Sequence, residues 1–317
     1  MRRRAFRRFG RGRALAAAVS LLLWLVWLWF APQGGAPANV SLDDSPAAQA
    51  DDISQRETLR VCSWNVRNYN VSNRRVGDRW ASQPKPEAER EAVCATLAKI
   101  NADVVLLQEM GDMTYLEDLR MRLKKRGAAY RFAAVGGYDA PSRLAILSKF
   151  APAEVFDFSS LPIEVKGVRA YSPRGALGIK LACRAAPLFV FSLHLKSKVG
   201  AKKADENFIP FRYAELRAIS AKVSPLAGGG GMVLLAGDFN DEPSKALLRN
   251  LRGFSAVPQG DFAGAAYTYY WAKKSVFYVY DFFAASAAVL PRVSRASVAP
   301  NGAASDHRPV YLDISLK

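Results

Sequence analysis

The sequence predicts an α/β body, because short apolar runs end repeatedly in polar clusters, amphipathic helical stretches lie between them, and half of the 317 residues are hydrophobic. A chain of this length accommodates one large domain or two modest ones, with enough residues for a substantial core.

The start of the chain stands apart from that body. Seven arginines crowd Met1–Arg13, and Ala14–Ala31 is apolar throughout except for Ser20. A run of that length suits a membrane span better than the shorter apolar core of a cleaved signal, although Ala36-Pro-Ala38 offers a small-residue site for a peptidase. Residues 1–38 therefore read as a signal peptide or membrane anchor. In either case the arginine flank stays in the cytoplasm, which places the body outside it: periplasmic, at the cell surface or secreted. Residues 39–57 lack an apolar period and read as a flexible linker, so the folded domain is expected over 58–317.

Within the body, Leu59–Trp64 precedes Asn65, Val104–Leu107 precedes Gln108-Glu109, and Leu188–Leu193 precedes His194. Met232–Ala236 precedes Gly237-Asp-Phe-Asn240, and Val279-Tyr280 precedes Asp281. Each reads as a strand that delivers polar side chains at its end. Pro86–Ile100, with its initial proline, early Glu87 and Glu89, and apolar Val93, Leu97 and Ile100, predicts a helix. Asp112–Arg126 predicts a second, capped by Asp112 and turning Leu116, Leu119 and Leu123 inward, and Pro210–Val223 a third. Gly228–Gly231 precedes a strand rather than joining strand to helix, so it reads as a turn and not as a phosphate cradle. Cys62, Cys94 and Cys183 are odd in number and fall within apparent core elements, which favours buried free thiols.

The formal net charge is +17, and about +10 remains once the N-terminal arginines are set aside. Such a balance suits a polyanionic partner, whether nucleic acid, a phosphate ester or an anionic membrane. Only two histidines occur, His194 and His307, each in a polar run after apolar sequence. Strand alternation over Leu188–Lys196 puts Phe189, Phe191, Leu193 and Leu195 on one face, and Val190, Ser192, His194 and Lys196 on the other. The same period brings Asp238 and Asn240 to one side if the chain there stays extended.

Taken in order, Ser63-Trp-Asn-Val-Arg67, Leu106-Leu-Gln-Glu-Met110, Ser192-Leu-His-Leu-Lys196, Gly237-Asp-Phe-Asn-Asp241, Tyr280-Asp-Phe-Phe283 and Ser305-Asp-His-Arg-Pro309 span nearly all of 58–317. As a set they resemble the endonuclease/exonuclease/phosphatase superfamily, the deoxyribonuclease-like phosphohydrolases. That resemblance implies a four-layer sandwich of two packed mixed sheets flanked by helices, with the site at one end of the sheets. It also implies hydrolysis of phosphate esters with a divalent metal, Mg2+ by the hardness of the donors and with Mn2+ or Ca2+ as alternatives. By the same resemblance Glu109 leads as metal ligand, assisted by Asn65 and Asp306. Asp238 orients or deprotonates the attacking water, Asn240 and His194 donate to the phosphoryl group, His307 stabilises its charge, and Asp281 holds His307.

Two departures stand out: Phe282-Phe283 follows the aspartate where a polar group is common, and no family tyrosine is assignable among Tyr138, Tyr171 and Tyr267. Lys196, Lys198, Lys202 and Lys203 follow His194, while Arg120, Arg122, Lys124, Lys125 and Arg126 close the second predicted helix. These groups, with Arg143, Arg174 and Arg212, are candidates for phosphate contact. The expectation is an extracytoplasmic nuclease-like phosphodiesterase. Two alternatives remain open: a phosphatase or phosphodiesterase for lipid headgroups, inositol phosphates or nucleotides, and a non-catalytic membrane-tethered polyanion-binding module. No protein partner is expected.

Overall fold

Parallel neighbours in a sheet need a crossover, and the two longest crossovers of this chain each carry a helix. In the computed structural model, which describes residues 37–43, 52–137, 140–201, 206 and 208–317, β1 (Asn39–Leu42) and β2 (Thr58–Tyr69) come first. The predicted membrane segment at 14–31, Tyr138, Lys202 and Lys203 lie outside the described residues. Among those described, no helix is long and apolar enough to cross a membrane.

After β2 come a hairpin, β3 (Val71–Val76) and β4 (Arg79–Pro84), then α1 (Glu87–Ile100), β5 (Val104–Met110) and α2 (Met113–Lys125). β6 (Phe132–Val135) and β7 (Arg143–Ser148) follow. With β18 (Val293–Val298) and β19 (Val310–Ser315) these strands build a seven-stranded sheet in the order β1-β6-β7-β5-β2-β19-β18. The second sheet takes β8 (Glu154–Asp157), β11 (Ala176–Leu181), β12 (Leu188–His194), β13 (Met232–Asp238), β14 (Phe254–Ala256) and β17 (Asp281–Ser286) in the order β14-β17-β13-β12-β11-β8. Two further hairpins stand outside the sheets, β9 (Leu161–Val165) with β10 (Val168–Ser172), and β15 (Tyr269–Trp271) with β16 (Val276–Tyr278). The second sheet is backed by α3 (Ile209–Gly228) and the short α4 (Lys245–Leu248).

The layers follow from the alternation of side chains. Val61, Leu106 and Ile146 of the first sheet meet Val190, Leu234 and Phe283 of the second in one buried cluster. Cys62, Leu107 and Leu147 face the other way and pack beneath Leu97 of α1 and Leu119 of α2. Phe191, Leu235 and Phe282 likewise pack beneath Leu216 and Ile219 of α3. The result is the helix, sheet, sheet, helix sandwich, and the apolar clusters explain why the runs read from sequence are buried on both faces. Phe282 and Phe283 belong to this packing, one on each face of β17. The three cysteines are free and buried.

Three differences from the sequence reading have clear causes. Asn39–Leu42, expected within the linker, pairs antiparallel with β6, where its backbone satisfies an open sheet edge. Val279-Tyr280 is not a strand that ends at Asp281; instead β17 starts there and pairs antiparallel to β13, so its beginning lies beside the end of β13. The third helix runs on to Gly228, past Pro225, because the proline lies in its last turn. Gly229–Gly231 then turn into β13.

Candidate active site

Each sheet contains one parallel pair, β2 with β5 and β12 with β13, and the candidate residues sit where those pairs end. Register does most of the placement. His194 lies opposite Asp238, and Asp238 opposite Asp281, so three polar side chains stand in one row across the second sheet. In the first sheet Asn65 lies opposite Gln108, and irregularities follow at once in both strands, between Asn65 and Tyr69 and between Leu107 and Met110. Bulges of this kind re-aim side chains at the edge of a ladder. Backbone strain gathers at the same points: Arg67, Asn68, Glu109 and Asn240 all have φ between 49° and 61°, a region costly for residues with a Cβ.

The side chains form one connected line. Asn65 Nδ2 donates to Glu109 Oε1 and to Asp238 Oδ2, each at 3.0 Å, and so ties the two sheets together. Glu109 Oε2 accepts from Asn68 N at 3.0 Å. Asp238 Oδ2 lies 3.4 Å from His194 Nε2 and 3.7 Å from His307 Nε2. His307 Nδ1 lies 2.8 Å from Asp281 Oδ2. Ser305 fixes the last loop, its Oγ donating to Asn65 O at 2.7 Å and accepting from His307 N at 3.1 Å. Asp306 is 38% exposed at its side chain and faces Arg67 Nε at 3.8 Å.

Burial and charge set the proton affinities. Burial pushes the Asp238 carboxyl up to about 7, with Asp281 adding to the rise while His307, Asn240 N and Asn65 oppose it. For His307 burial disfavours the cation, but the Asp281 and Asp238 carboxylates outweigh it and raise the imidazole to about 10. His194 goes the other way, held well below the usual imidazole range by burial and by the charges of Arg174, His307 and Lys196. One imidazolium, one neutral imidazole and a carboxylate poised near neutrality therefore share one volume. Such a group can take a proton from water and stabilise an anionic phosphoryl centre.

The donor set also fits a divalent cation. Glu109, Asp306 and Asn65 carry hard oxygens; Asn65 meets Glu109 through its Nδ2, while its Oδ1 accepts from Arg67 N at 3.0 Å and would be shared with an ion. A second grouping, Asp238, Asp281 and His307, has ligand atoms within 4.8 Å of one another. His307 Nδ1 and Asp281 are already hydrogen-bonded to each other, so that trio is a relay as it stands, and the oxygen-rich Glu109 end suits a hard ion better.

The remaining predicted residues separate into those near this line and those committed elsewhere. The chain leaves the extended conformation after Asp238, so Asn240 does not continue the alternation. Its N–H instead donates to Asp238 Oδ1 at 2.8 Å, and its Nδ2 to Leu195 O at 3.1 Å. Lys196 Nζ sits 4.3 Å from the centre of the Phe208 ring. Arg174 donates to His194 O and Leu195 O, both at 2.9 Å, which makes it a brace for the end of β12 rather than a projecting charge. Arg212 is fully buried and bonds Asp241 Oδ2 at 2.9 Å, bracing the turn after β13. Arg143 donates to Ala140 O at 3.0 Å and lies across from Met110. The basic end of α2 is matched by acids: Arg122 by Glu87, Glu91 and Asp118, Arg126 by Glu91, Arg120 by Glu117 and Lys124 by Asp43.

Three participants escaped the sequence reading. Among the described residues Tyr269, rather than Tyr171 or Tyr267, meets the site, with its ring centre 4.7 Å from that of His307. Lys85, only 1% exposed, donates from Nζ to Glu89 Oε2 and Ala304 O at 2.8 Å and to Arg67 O at 3.1 Å. Gln108 is buried between the sheets and donates to Ser63 Oγ at 3.2 Å and to Ser192 Oγ at 3.0 Å. Gln108 lies within the quoted Leu-Leu-Gln-Glu run, and its polarity inside an apolar strand was the available signal. For Lys85 and Tyr269 the sequence holds none.

Solved structures of low sequence identity share this fold. Over 82% of this chain and 72% of the other, an endonuclease/exonuclease/phosphatase from Beutenbergia cavernae superposes with a TM-score of 0.58 at 18% identity. Truncated Caenorhabditis elegans TDP2 gives 0.57 at 15% identity, covering 84% of this chain and 100% of that one. The human Nocturnin catalytic domain gives 0.54 at 16% identity, covering 85% and 98%. No match was found among curated protein sequences. The model of the endonuclease/exonuclease/phosphatase family matches residues 62–307, which include every member of the polar line. The chain is therefore a phosphoesterase that belongs to the endonuclease/exonuclease/phosphatase family.

Proposed function

We propose that the protein is a divalent-metal-dependent, nuclease-like phosphodiesterase that works outside the cytoplasm, tethered through residues 14–31. The observation that carries this reading is Asp238, a buried carboxylate held at 3.0 Å by Asn65 with both imidazoles of the chain beside it. Asp238 accepts a proton from water as the water oxygen bonds to phosphorus and the bond from phosphorus to the leaving oxygen breaks, that oxygen taking up a proton from solvent as it departs. His307, kept cationic by Asp281, faces the charge that builds on the phosphoryl oxygens, and neutral His194 donates a hydrogen bond to them. Asn240 serves by fixing the Asp238 carboxylate through its N–H. Mg2+ is the ion these oxygens favour, with Mn2+ or Ca2+ as alternatives; held by Glu109, Asn65 and Asp306, it would neutralise phosphoryl charge beside the leaving oxygen.

A nucleic-acid substrate is favoured by the basic charge of the chain and by the existence of a structure of the fold relative TDP2 of D. rerio complexed with single strand DNA product. The test is turnover of a generic phosphodiester with Mg2+ and then with chelator, followed by a screen of DNA, RNA, phospholipids and phosphomonoesters. Metal-dependent cleavage that is abolished in Asp238→Asn and in His307→Ala, with the fold retained, is the expected result. Absence of metal-dependent turnover on every substrate would leave the polyanion-binding module as the better reading.

A further inference from the structure

We propose that the hairpins β3–β4 and β15–β16, rooted at opposite ends of the polar line, form a docking surface for a flexible single strand of nucleic acid. Bases stack on Trp80 of the first hairpin and on Tyr278 and Trp271 of the second. The placement of a scissile bond between them rests on the phosphodiesterase reading, whereas the docking itself does not.

The first hairpin leaves β2 directly beyond Asn65 and is pinned to the Glu109 end. Arg74 donates to Asn68 O, and Asn68 N in turn donates to Glu109. Pairing across the hairpin is regular, so its two faces are distinct. Arg74 and Ala81 face the body and are partly covered, while Arg75 and Trp80, directly opposite each other, are exposed on the other face. Trp80 is 71% exposed. An indole that open is costly to leave in water, and the Arg75 guanidinium beside it, bonded to Gly77 O at 3.0 Å and to the exposed Asp78 at 3.2 Å, would exchange that solvent-screened pair for the phosphate of a stacked base.

The second hairpin is pinned at the other end, where Tyr269 pairs with His307 through an isolated bridge. Tyr269 and Tyr278 are cross-strand partners and Trp271 shares their face, giving a half-buried aromatic strip that starts at His307 and runs outward. Tyr278 stacks on Tyr280 with ring centres 4.7 Å apart, Lys274 Nζ lies 4.6 Å from the centre of the Trp271 ring, and the more exposed Tyr270 and Phe277 stand on the opposite face. Lys198 Nζ lies 5.6 Å from the centre of the Tyr278 ring, which puts a cation beside this strip as well, one shared with Asp241 Oδ1 at 3.5 Å and Tyr280 Oη at 3.2 Å. The hairpin from 269 to 278 contains two lysines and no acid.

Aromatic faces interleaved with cations select unpaired bases, since a duplex keeps its base faces stacked internally. The tips argue against insertion into a bilayer. Asp78 and Arg79 occupy one tip and Lys273-Lys274 the other, and charged groups at the leading edge resist entry into hydrocarbon.

The test uses the full-length chain in chelator, so that binding is read without turnover. Labelled oligothymidylate of about 12 nucleotides is compared with an abasic oligomer of the same length, with the duplex, and with phosphatidylserine vesicles. The single strand is expected to bind at least about 10-fold tighter than the abasic strand and the duplex. Trp80→Ala should weaken it by about 5- to 100-fold and Trp80→Phe should recover most of that, with Tyr278→Ala giving a second, independent loss. Equal losses on the abasic strand, duplex binding as tight as single-strand binding, or a Trp80→Ala defect confined to the vesicles would each overturn the proposal. A wild-type chain that holds the oligonucleotide through Trp80 yet cleaves nothing when Mg2+ is restored would support the docking surface while overturning the phosphodiesterase reading.

Discussion

Lys85→Met removes the one ammonium that joins the start of α1 to both loops of the site. Its Nζ serves Arg67 O, two residues beyond Asn65, and Ala304 O, next to Ser305. Methionine keeps the volume and length of the side chain but donates to neither carbonyl. The buried Ala304 O left without a donor costs about 1–3 kcal/mol, and loss of the bond to the part-buried Arg67 O about 1 kcal/mol more. Glu89 is 33% exposed at its side chain and rehydrates, so loss of that ion pair adds little. Burial already lowers the proton affinity of Lys85 against the pull of Glu89, so removing the charge returns part of the loss. The net expectation is about 2–4 kcal/mol of destabilisation. Urea unfolding in chelator measures it without a contribution from bound metal. Turnover with Mg2+ should fall as well, because Asn65 and His307 lose their shared anchor. A stability change below about 0.5 kcal/mol with unchanged turnover would refute the reasoning.

Asp238→Asn should abolish turnover and yet raise the melting temperature at about pH 8 in chelator. The wild-type carboxyl moves up from 3.8 to about 7 on folding, so the folded state loses stability as pH rises through that window, and an amide does not. A lower melting temperature for the variant at that pH would contradict the assignment. His307 has the same sign. Its folded value near 10 lies above the ordinary 6.5, so its contribution is complete below about 6.5 and is lost as pH rises toward 10. Asp281→Asn should flatten the fall in melting temperature between about pH 7 and 10, and an unchanged profile would count against the pair. Gly237→Ala places a Cβ 1.9 Å from Leu193 O at a φ of 153°, so it should either separate β12 from β13 or prevent folding. A variant that melts like the wild type would show that the strands can part without cost.

The legible part of this protein was the part where burial dictates residue type. Leu59–Trp64, Val104–Leu107, Leu188–Leu193 and Met232–Ala236 are strands because their side chains fill both faces of a covered sheet, and all four lie within observed strands. The three helices carry their apolar spacing in the local sequence; Asp112 caps α2 by accepting from Thr114 N, whereas α1 and α3 begin at Pro86 and Phe208 without a side-chain cap. The polar line was legible as an ordered set of motifs. Its wiring was not, because Asn65 reaches Asp238 only after the two sheets pack. The hairpin at 71–84 has no apolar alternation, since one face is solvent and the other rests on polar backbone near Asn68. Arg174 and Arg212 look like phosphate ligands in a string of letters, and only the fold shows that they spend their donors on carbonyls and on Asp241.

The position of β19 has a consequence for when the protein becomes active. It lies between β2 and β18, inside the first sheet rather than at its edge, and it directly follows the loop that carries His307. Ser63 and Val310 thus become partners at the heart of the molecule, although most of the domain separates them in sequence. A chain still emerging from the ribosome has Asn65, Glu109 and Asp238 long before it has His307. On the role proposed for His307, hydrolytic activity is expected only once β19 closes the sheet, so that it would report completion of the whole domain rather than the gradual assembly of its parts.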